Sequence, residues 1–175
     1  WFDVIYRSGL KHSNSVNVSG ANDATSYYFS AGYTDQKGII RRNDFKRISL
    51  LVNLEHRIGN LVKLGGKIQF SNEKNLAAVS SGSLGDAFTT AGIGRAAMVN
   101  SPNVSPFNND GTYNVNGAFL GSMGNKGQST VGLNNSQIQL DQNRNNSENN
   151  HTQGHVFVQV TPLKGLTLKS LFGID

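Results

Sequence analysis

Polarity alternates residue by residue through six stretches of this chain, and a period of two has one common backbone solution, the pleated strand. In residues 26–40, SYYFSAGYTDQKGII, the side chains of Tyr27, Phe29, Ala31 and Tyr33 share one face, and Tyr28, Ser30, Gly32 and Thr34 share the other. Residues 12–20 set Val16 and Val18 against Ser15, Asn17 and Ser19. Residues 45–58 set Ile48, Leu50, Val52 and Leu54 against Ser49, Asn53 and Glu55, with Leu51 the exception. Residues 61–71 set Val62, Leu64, Ile68 and Phe70 against Lys63, Lys67 and Gln69. Residues 154–161 align Val156, Val158 and Val160, and residues 167–175 set Leu168, Phe172 and Ile174 against Lys169 and Gly173. Asn22-Asp23-Ala24-Thr25, Arg41-Arg42-Asn43-Asp44, Gly59-Asn60 and Pro162-Leu163-Lys164-Gly165-Leu166 supply turn chemistry between them.

The charges sort with the faces. No Lys, Arg, Asp or Glu falls on the face carrying Ile48 to Leu54, Val62 to Phe70, Val156 to Val160 and Leu168 to Ile174, while Glu55, Lys63, Lys67 and Lys169 all fall opposite. A transmembrane barrel wall requires this, because Lys or Arg facing lipid at mid-bilayer costs about 2–4 kcal/mol. A soluble sandwich would sort its charges the same way, so both readings stay open on this ground. Composition leans toward the barrel: 37% of residues are hydrophobic and 15% charged, with Gly, Asn and Ser filling the gap. Such a chain suits strands with one apolar and one uncharged polar face. There is no cysteine, which excludes disulfides and thiolate metal sites. The formal net charge of +5 is scattered, apart from Lys37, Arg41 and Arg42 and the nearby Lys46 and Arg47. That is a mildly basic surface and not a nucleic-acid footprint.

Connection lengths give a second test. If each strand is antiparallel to the last, the tight turns near residues 22–25, 59–60 and 162–166 share one end. The opposite end then receives the interval 72–150, where no sustained strand pattern occurs. Transmembrane barrels have short periplasmic turns and longer extracellular loops. The expected fold class is therefore all-β: about six strands of an antiparallel transmembrane barrel with one long extracellular loop. Residues 1–71 would supply four strands after a short helical turn carrying Phe2, Ile5 and Tyr6. Residues 72–150 form the loop and residues 151–175 supply the last two strands. A helix is expected over residues 83–100, with Ser83 as cap, Leu84, Ala87, Phe88 and Ala91 on one face, and Pro102 ending it. Six strands cannot close such a barrel, for which eight is the lower limit. The chain is thus expected to be a fragment, with the remaining strands outside it.

The run Gly32-Tyr33-Thr34-Asp35-Gln36-Lys37-Gly38-Ile39-Ile40 is more specific than any strand pattern. So is its order relative to Trp1, to Ser15-Val16-Asn17-Val18-Ser19-Gly20, to the Pro/Asn/Gly segment 101–113, to Pro162-Leu163-Lys164-Gly165-Leu166-Thr167 and to Phe172-Gly173-Ile174-Asp175. Together they resemble the SusC/RagA-like TonB-dependent transporters of Bacteroidetes. The resemblance is dispersed over residues 1–71, 101–113 and 154–175. It implies a plugged barrel in the bacterial outer membrane that imports oligosaccharides or peptides. It also implies a SusD-like surface lipoprotein as lid and TonB acting on a plug that this chain does not include.

No catalytic constellation is present, and neither an enzyme nor a cofactor is expected. His151 and His155 are four apart, but in a strand that spacing separates them widely, so no metal site is assigned. Asn108-Asn109-Asp110-Gly111 has one carboxylate where a calcium loop needs several, and reads as a turn. Tyr27, Tyr28, Phe45, Phe70 and Phe172 are candidates for interfacial girdles or ordinary strand packing. Phe107, Tyr113 and Phe119 lie in the long loop, where aromatic faces could stack on a substrate or meet the lid. The alternatives are a siderophore- or cobalamin-type TonB-dependent receptor and a soluble β-rich binding or adhesin module.

Overall fold

The computed structural model describes residues 1–77, 93, 98, 100–115 and 135–175. Its elements are α1 (Phe2–Ile5), β1 (Leu10–Ala21), β2 (Thr25–Lys37), β3 (Asp44–Ile58), β4 (Val62–Ala77), α2 (Ser136–Gln142), β5 (Asn145–Leu163) and β6 (Leu166–Ile174). The strands form one sheet in chain order, β1-β2-β3-β4-β5-β6. The sheet is an antiparallel meander. Ser13 meets Thr34 while Asn17 meets Tyr28. The Thr161 amide donates to the Leu61 carbonyl while Asn72 reaches Glu148 and Asn150.

The turns follow from their residues. The Asn22 side chain accepts hydrogen bonds from the amides of Ala24 and Thr25 at 2.9 and 2.7 Å, closing the first hairpin. Lys164 and Gly165 alone join β5 to β6, and Gly165 has φ of 91°, a left-handed value that a Cβ would strain.

The strands run further than their alternation shows. β4 continues past Ser71 to Ala77, and β5 begins at Asn145 instead of Gly154. Both edges of the interval assigned to the loop are therefore strand. The reason is that outward positions there carry polar residues that pair with each other instead of facing an apolar medium. Asn72 donates to Glu148 and Asn150 at 2.7 Å, and Lys74 pairs with Glu148 at 3.1 Å. The 19 residues of β5 exceed the roughly 9–11 that cross a bilayer. The surplus lies at the Asn-rich start of the strand. Of the helix expected over residues 83–100, only Ile93, Met98 and Asn100 are described; the rest lies outside the described residues.

Contacts divide the chain into two compact units: residues 1–10, 36–44 and 75–147, and residues 11–35, 45–74 and 148–175. The second unit is sheet. The register pairs Val156 with Phe172, Val160 with Leu168 and Gly154 with Ile174 on one face. Phe157 with Leu171 and Gln159 with Lys169 lie on the other. The apolar face stays bare among the described residues. Val16, Val18, Phe29, Leu50, Ile68, Val158 and Phe172 are all exposed, Phe172 at 69%. A sandwich would cover that face with a second sheet, and the described strands form a single one.

The opposite face is polar and locally packed. Lys63 pairs with Glu55 at 2.7 Å. The Lys169 ammonium sits 4.3 Å from the centroid of the Phe157 ring, with Lys63 at 6.0 Å. The ring lies over Gly65, where a Cβ would come within 2.5 Å of it. Tyr28 also belongs to this face, its hydroxyl donating to Asn17 at 3.2 Å. It is therefore not a member of an outward aromatic girdle, whereas Tyr27 and Phe29 share the apolar face with ring centroids 5.8 Å apart.

The first unit holds the other buried apolar residues. Ile5 is fully buried against Ile93 and Leu140, with Trp1, Val4, Tyr6 and Ile40 around them. α1 is one turn, far too short to persist alone. It is held by burial of Ile5 and by the antiparallel bridge of Tyr6 to Ile40.

Candidate functional site

The expected loop aromatics lie in the first unit, in a segment ordered by polar contacts. Residues 108–112 fold into a tight turn. The Asn108 amide donates to the Thr112 carbonyl at 2.8 Å, and Gly111 takes φ of 83°. Asp110 Oδ1 accepts from both the Thr112 hydroxyl, at 2.6 Å, and the Thr112 amide, at 3.0 Å. These bonds, the hydroxyl's first, hold the Asp110 carboxyl below its ordinary pKa. The carboxylate thus serves the turn.

The turn brings Phe107 and Tyr113 face to face. Their backbones form an antiparallel bridge, and their rings stack with centroids 5.4 Å apart and planes 28° from parallel. The Tyr113 hydroxyl donates to Asp141 Oδ2 at 3.0 Å. With the hydroxyl engaged, what this pair offers a ligand is ring surface, mainly that of the 38%-exposed Phe107. Phe119, the third candidate, lies outside the described residues.

The hydrogen bond to Asp141 raises the Tyr113 phenol above its ordinary pKa, since ionisation would remove the donor and set two anions together. A raised folded-state pKa means that the contact is fully present below the unfolded-state pKa and lost as pH rises through the folded one. Ultraviolet titration of the protein minus that of Tyr113→Phe should therefore show a tyrosinate midpoint above 10. A midpoint at or below that value would mean the bond to Asp141 does not persist in solution.

Sequence reasoning missed the residue that organises this segment, Asn135. It is nearly fully buried, and its side chain works in two directions. Its Oδ1 accepts from the Gln137 amide at 2.9 Å, capping α2. Its Nδ2 donates to the carbonyls of Pro106, at 2.7 Å, and Asn114, at 3.0 Å. An Asn three residues before the apolar Ile138, with Leu140 following, is a recognisable cap signal, hidden here in an Asn- and Gln-rich stretch. Loss of a cap side chain costs about 0.5–2 kcal/mol, and the carbonyls of Pro106 and Asn114 would each lose one donor as well. Asn135→Ala should therefore sit at or above the top of that range, read as faster hydrogen exchange across residues 104–114. Unchanged exchange there would remove Asn135 from this role.

Asp141 is the second residue missed. Besides Tyr113, it accepts from Gln137 Nε2 at 2.6 Å and pairs with Arg42 Nη2 at 3.3 Å. Its backbone carbonyl accepts from Arg42 Nη1 at 3.1 Å. Arg42 is the one described non-glycine residue with positive φ, at 60°. Arg7, Arg41, Arg42, Gln137, Leu140 and Asp141 line an open recess of about 440 Å³. Among the described residues no three His, Asp or Glu side chains are grouped to hold a metal ion. His151 Nδ1 instead lies 3.6 Å from Asp175 Oδ1.

No family model matches the chain. Individual proteins do. The chain is 23% identical over its whole length to TonB-dependent receptor P26 of Formosa agariphila, and covers 16% of that protein. It is 27% identical to TonB-dependent receptor SusC of Bacteroides thetaiotaomicron over 150 residues, which are 85% of this chain and 14% of SusC. In structure, 99% of it superposes on 18% of a chain of the RagAB peptide importer in the open-open state, with a TM-score of 0.69 and 26% identity. A second RagAB peptide transporter structure gives a TM-score of 0.70. The chain resembles SusC/RagA-like TonB-dependent transporters in both sequence and fold, and it spans less than a fifth of the length of the relatives it matches.

Proposed function

We propose that this chain is part of the barrel wall of a SusC/RagA-like TonB-dependent importer in the bacterial outer membrane. One observation carries the reading: a single sheet face, continuous over six strands, is apolar, uncovered by any described residue and free of Asp, Glu, Lys and Arg between Asp35 and Lys46 at one edge and the turns at the other. Lipid is the medium in which such a face is stable. The polar face, with Glu55, Lys63, Lys67 and Lys169, then faces the lumen.

The meander fixes which connections share an edge. Turns 22–24, 59–61 and 164–165 share one, and connections 38–43 and 78–144 share the other. The long connection belongs outside the cell, with its aromatic pair Phe107 and Tyr113 toward substrate or lid. The substrate is an oligosaccharide or a peptide, the partner a SusD-like surface lipoprotein, and TonB acts through a plug on another part of the protein. That the structural relatives are RagAB peptide importers favours peptide.

The test uses the full-length protein in its own outer membrane. A band that shifts on heating, together with uptake that falls when residues 78–144 are replaced by a short turn, supports the reading. A water-soluble 18.9 kDa species with no heat shift overturns it. A deletion that leaves both uptake and lipoprotein copurification intact removes the loop from the mechanism.

A further inference from the structure

The recess beside Asp141 carries more positive charge than its ion pairs use. Arg7 pairs with Asp44, and Arg42 with Asp141. Arg41 also lines this recess, and its side chain makes no hydrogen bond or ion pair with a described residue. An adjoining recess of about 360 Å³ is lined by Arg42, Asp44, Leu76, Ala77, Arg144 and Asn146. Among the described residues Arg144 meets only neutral groups, the carbonyls of Asn143 at 2.7 Å and Leu140 at 3.4 Å. Four arginines thus stand against two aspartates around these two recesses, with Arg42 lining both.

The backbone holds this arrangement under strain. Arg42 occupies the left-handed region at φ of 60°, which a long side chain rarely adopts and which persists only where the surroundings enforce it. Here the enforcing contacts are the two from Arg42 to Asp141 and the Arg41 amide donating to the Ile5 carbonyl at 2.9 Å. They fix the backbone on both sides of the Arg41 side chain while leaving its guanidinium unengaged. An unneutralised guanidinium on a fixed backbone in an open recess suits a carboxylate, which takes two parallel N–H donors.

We infer that the Arg7, Arg41, Arg42 and Arg144 recesses bind a carboxylate of the transported substrate, so that the substrate is anionic. This rests on the importer reading and narrows it. The carboxylate could come from an acidic peptide or from a uronic-acid glycan. The basic cluster at Arg41 and Arg42, the exception to the scattered charge of the sequence, gains a use only through its placement beside Asp141 and Arg144.

The test measures equilibrium binding to the intact transporter in detergent. The probes are an acidic hexapeptide with a free C-terminus, its amidated Gln-substituted counterpart, an oligogalacturonate and its methyl ester. One of the two anionic probes should bind about ten-fold or more tightly than its neutral counterpart, and which one does so separates peptide from glycan. Arg41→Gln should bring the anionic probe down to the affinity of the neutral one, Arg41→Lys should retain part of the preference, and Arg144→Gln should weaken it independently. Heat modifiability of each variant reports that it has folded. Equal binding of anionic and neutral probes by the unaltered protein overturns the inference, as does failure to bind either anionic probe. So does a preference that survives in both Gln variants. None of these touches the importer reading, which fails instead if the unaltered protein forms no heat-modifiable barrel.

Discussion

Leu50→Arg is expected to cost the membrane-embedded barrel about 2–4 kcal/mol, whereas Asn53→Arg, three residues along the same strand, should be tolerated. Leu50 lies midway along the uncharged outward row of β3, between Ile48 and Leu54, and is 46% exposed with nothing described over it. In lipid that position meets hydrocarbon, and a guanidinium there has neither water nor a counter-ion. Asn53 faces the other way, with Glu55 and the Lys63 that pairs with it. The readout is the fraction of full-length protein recovered as a heat-shifting band in the outer membrane. A marked loss for Leu50→Arg with little change for Asn53→Arg assigns the faces. Equal loss for both, or for neither, would contradict the assignment of lipid to the apolar face.

Ile5→Ala is expected to loosen the other unit by about 2–5 kcal/mol, the range for truncating a buried aliphatic residue. Ile5 is fully buried and touches Leu140, itself 2% exposed, and Ile93. These three are most of the apolar core described in that unit, so a cavity there has little surrounding mass to relax into it. The seven-residue α2 is too short to form without that contact. Its loss would release Asp141 and so the ends of the contacts from Tyr113 and Arg42. Limited proteolysis of the full-length protein in intact cells should show faster cleavage within residues 100–144. Ile39→Ala, at a site 64% exposed, is the control and should change cleavage little. Identical cleavage of all three proteins would mean that Ile5 does not hold this unit together.

The two units differ in how much of them the sequence discloses. In the sheet, the split of Ile48, Leu50, Val52 and Leu54 from Ser49, Asn53 and Glu55 can be read without coordinates, and so can the turn at Asn22 and the hairpin at Gly165. The strand ends cannot. Past Ser71 the outward positions become Asn72 and Lys74, and the alternation that marked the strand disappears although the ladder continues. In the other unit, Phe107 and Tyr113 stand out as loop aromatics. Their stacking is invisible in the sequence because it depends on a turn between them and on Asp141 beyond them. Asn135 left a cap signal that its Asn-rich surroundings concealed.

The sequence alone determined that this chain makes alternating strands with one uncharged apolar face, because each side chain's face is set locally by the pleat. It also placed the tight turns, since Asn and Gly supply left-handed or self-capping backbone wherever they fall. Tertiary structure decided what those strands leave unsaid. Trp1 donates to the Ser101 carbonyl across 100 residues of chain, and Arg42 to that of Asp141 across 99. Such contacts leave no local pattern, since each depends on chain closure that burial of Ile5, Ile93 and Leu140 makes favourable only once the whole unit has formed.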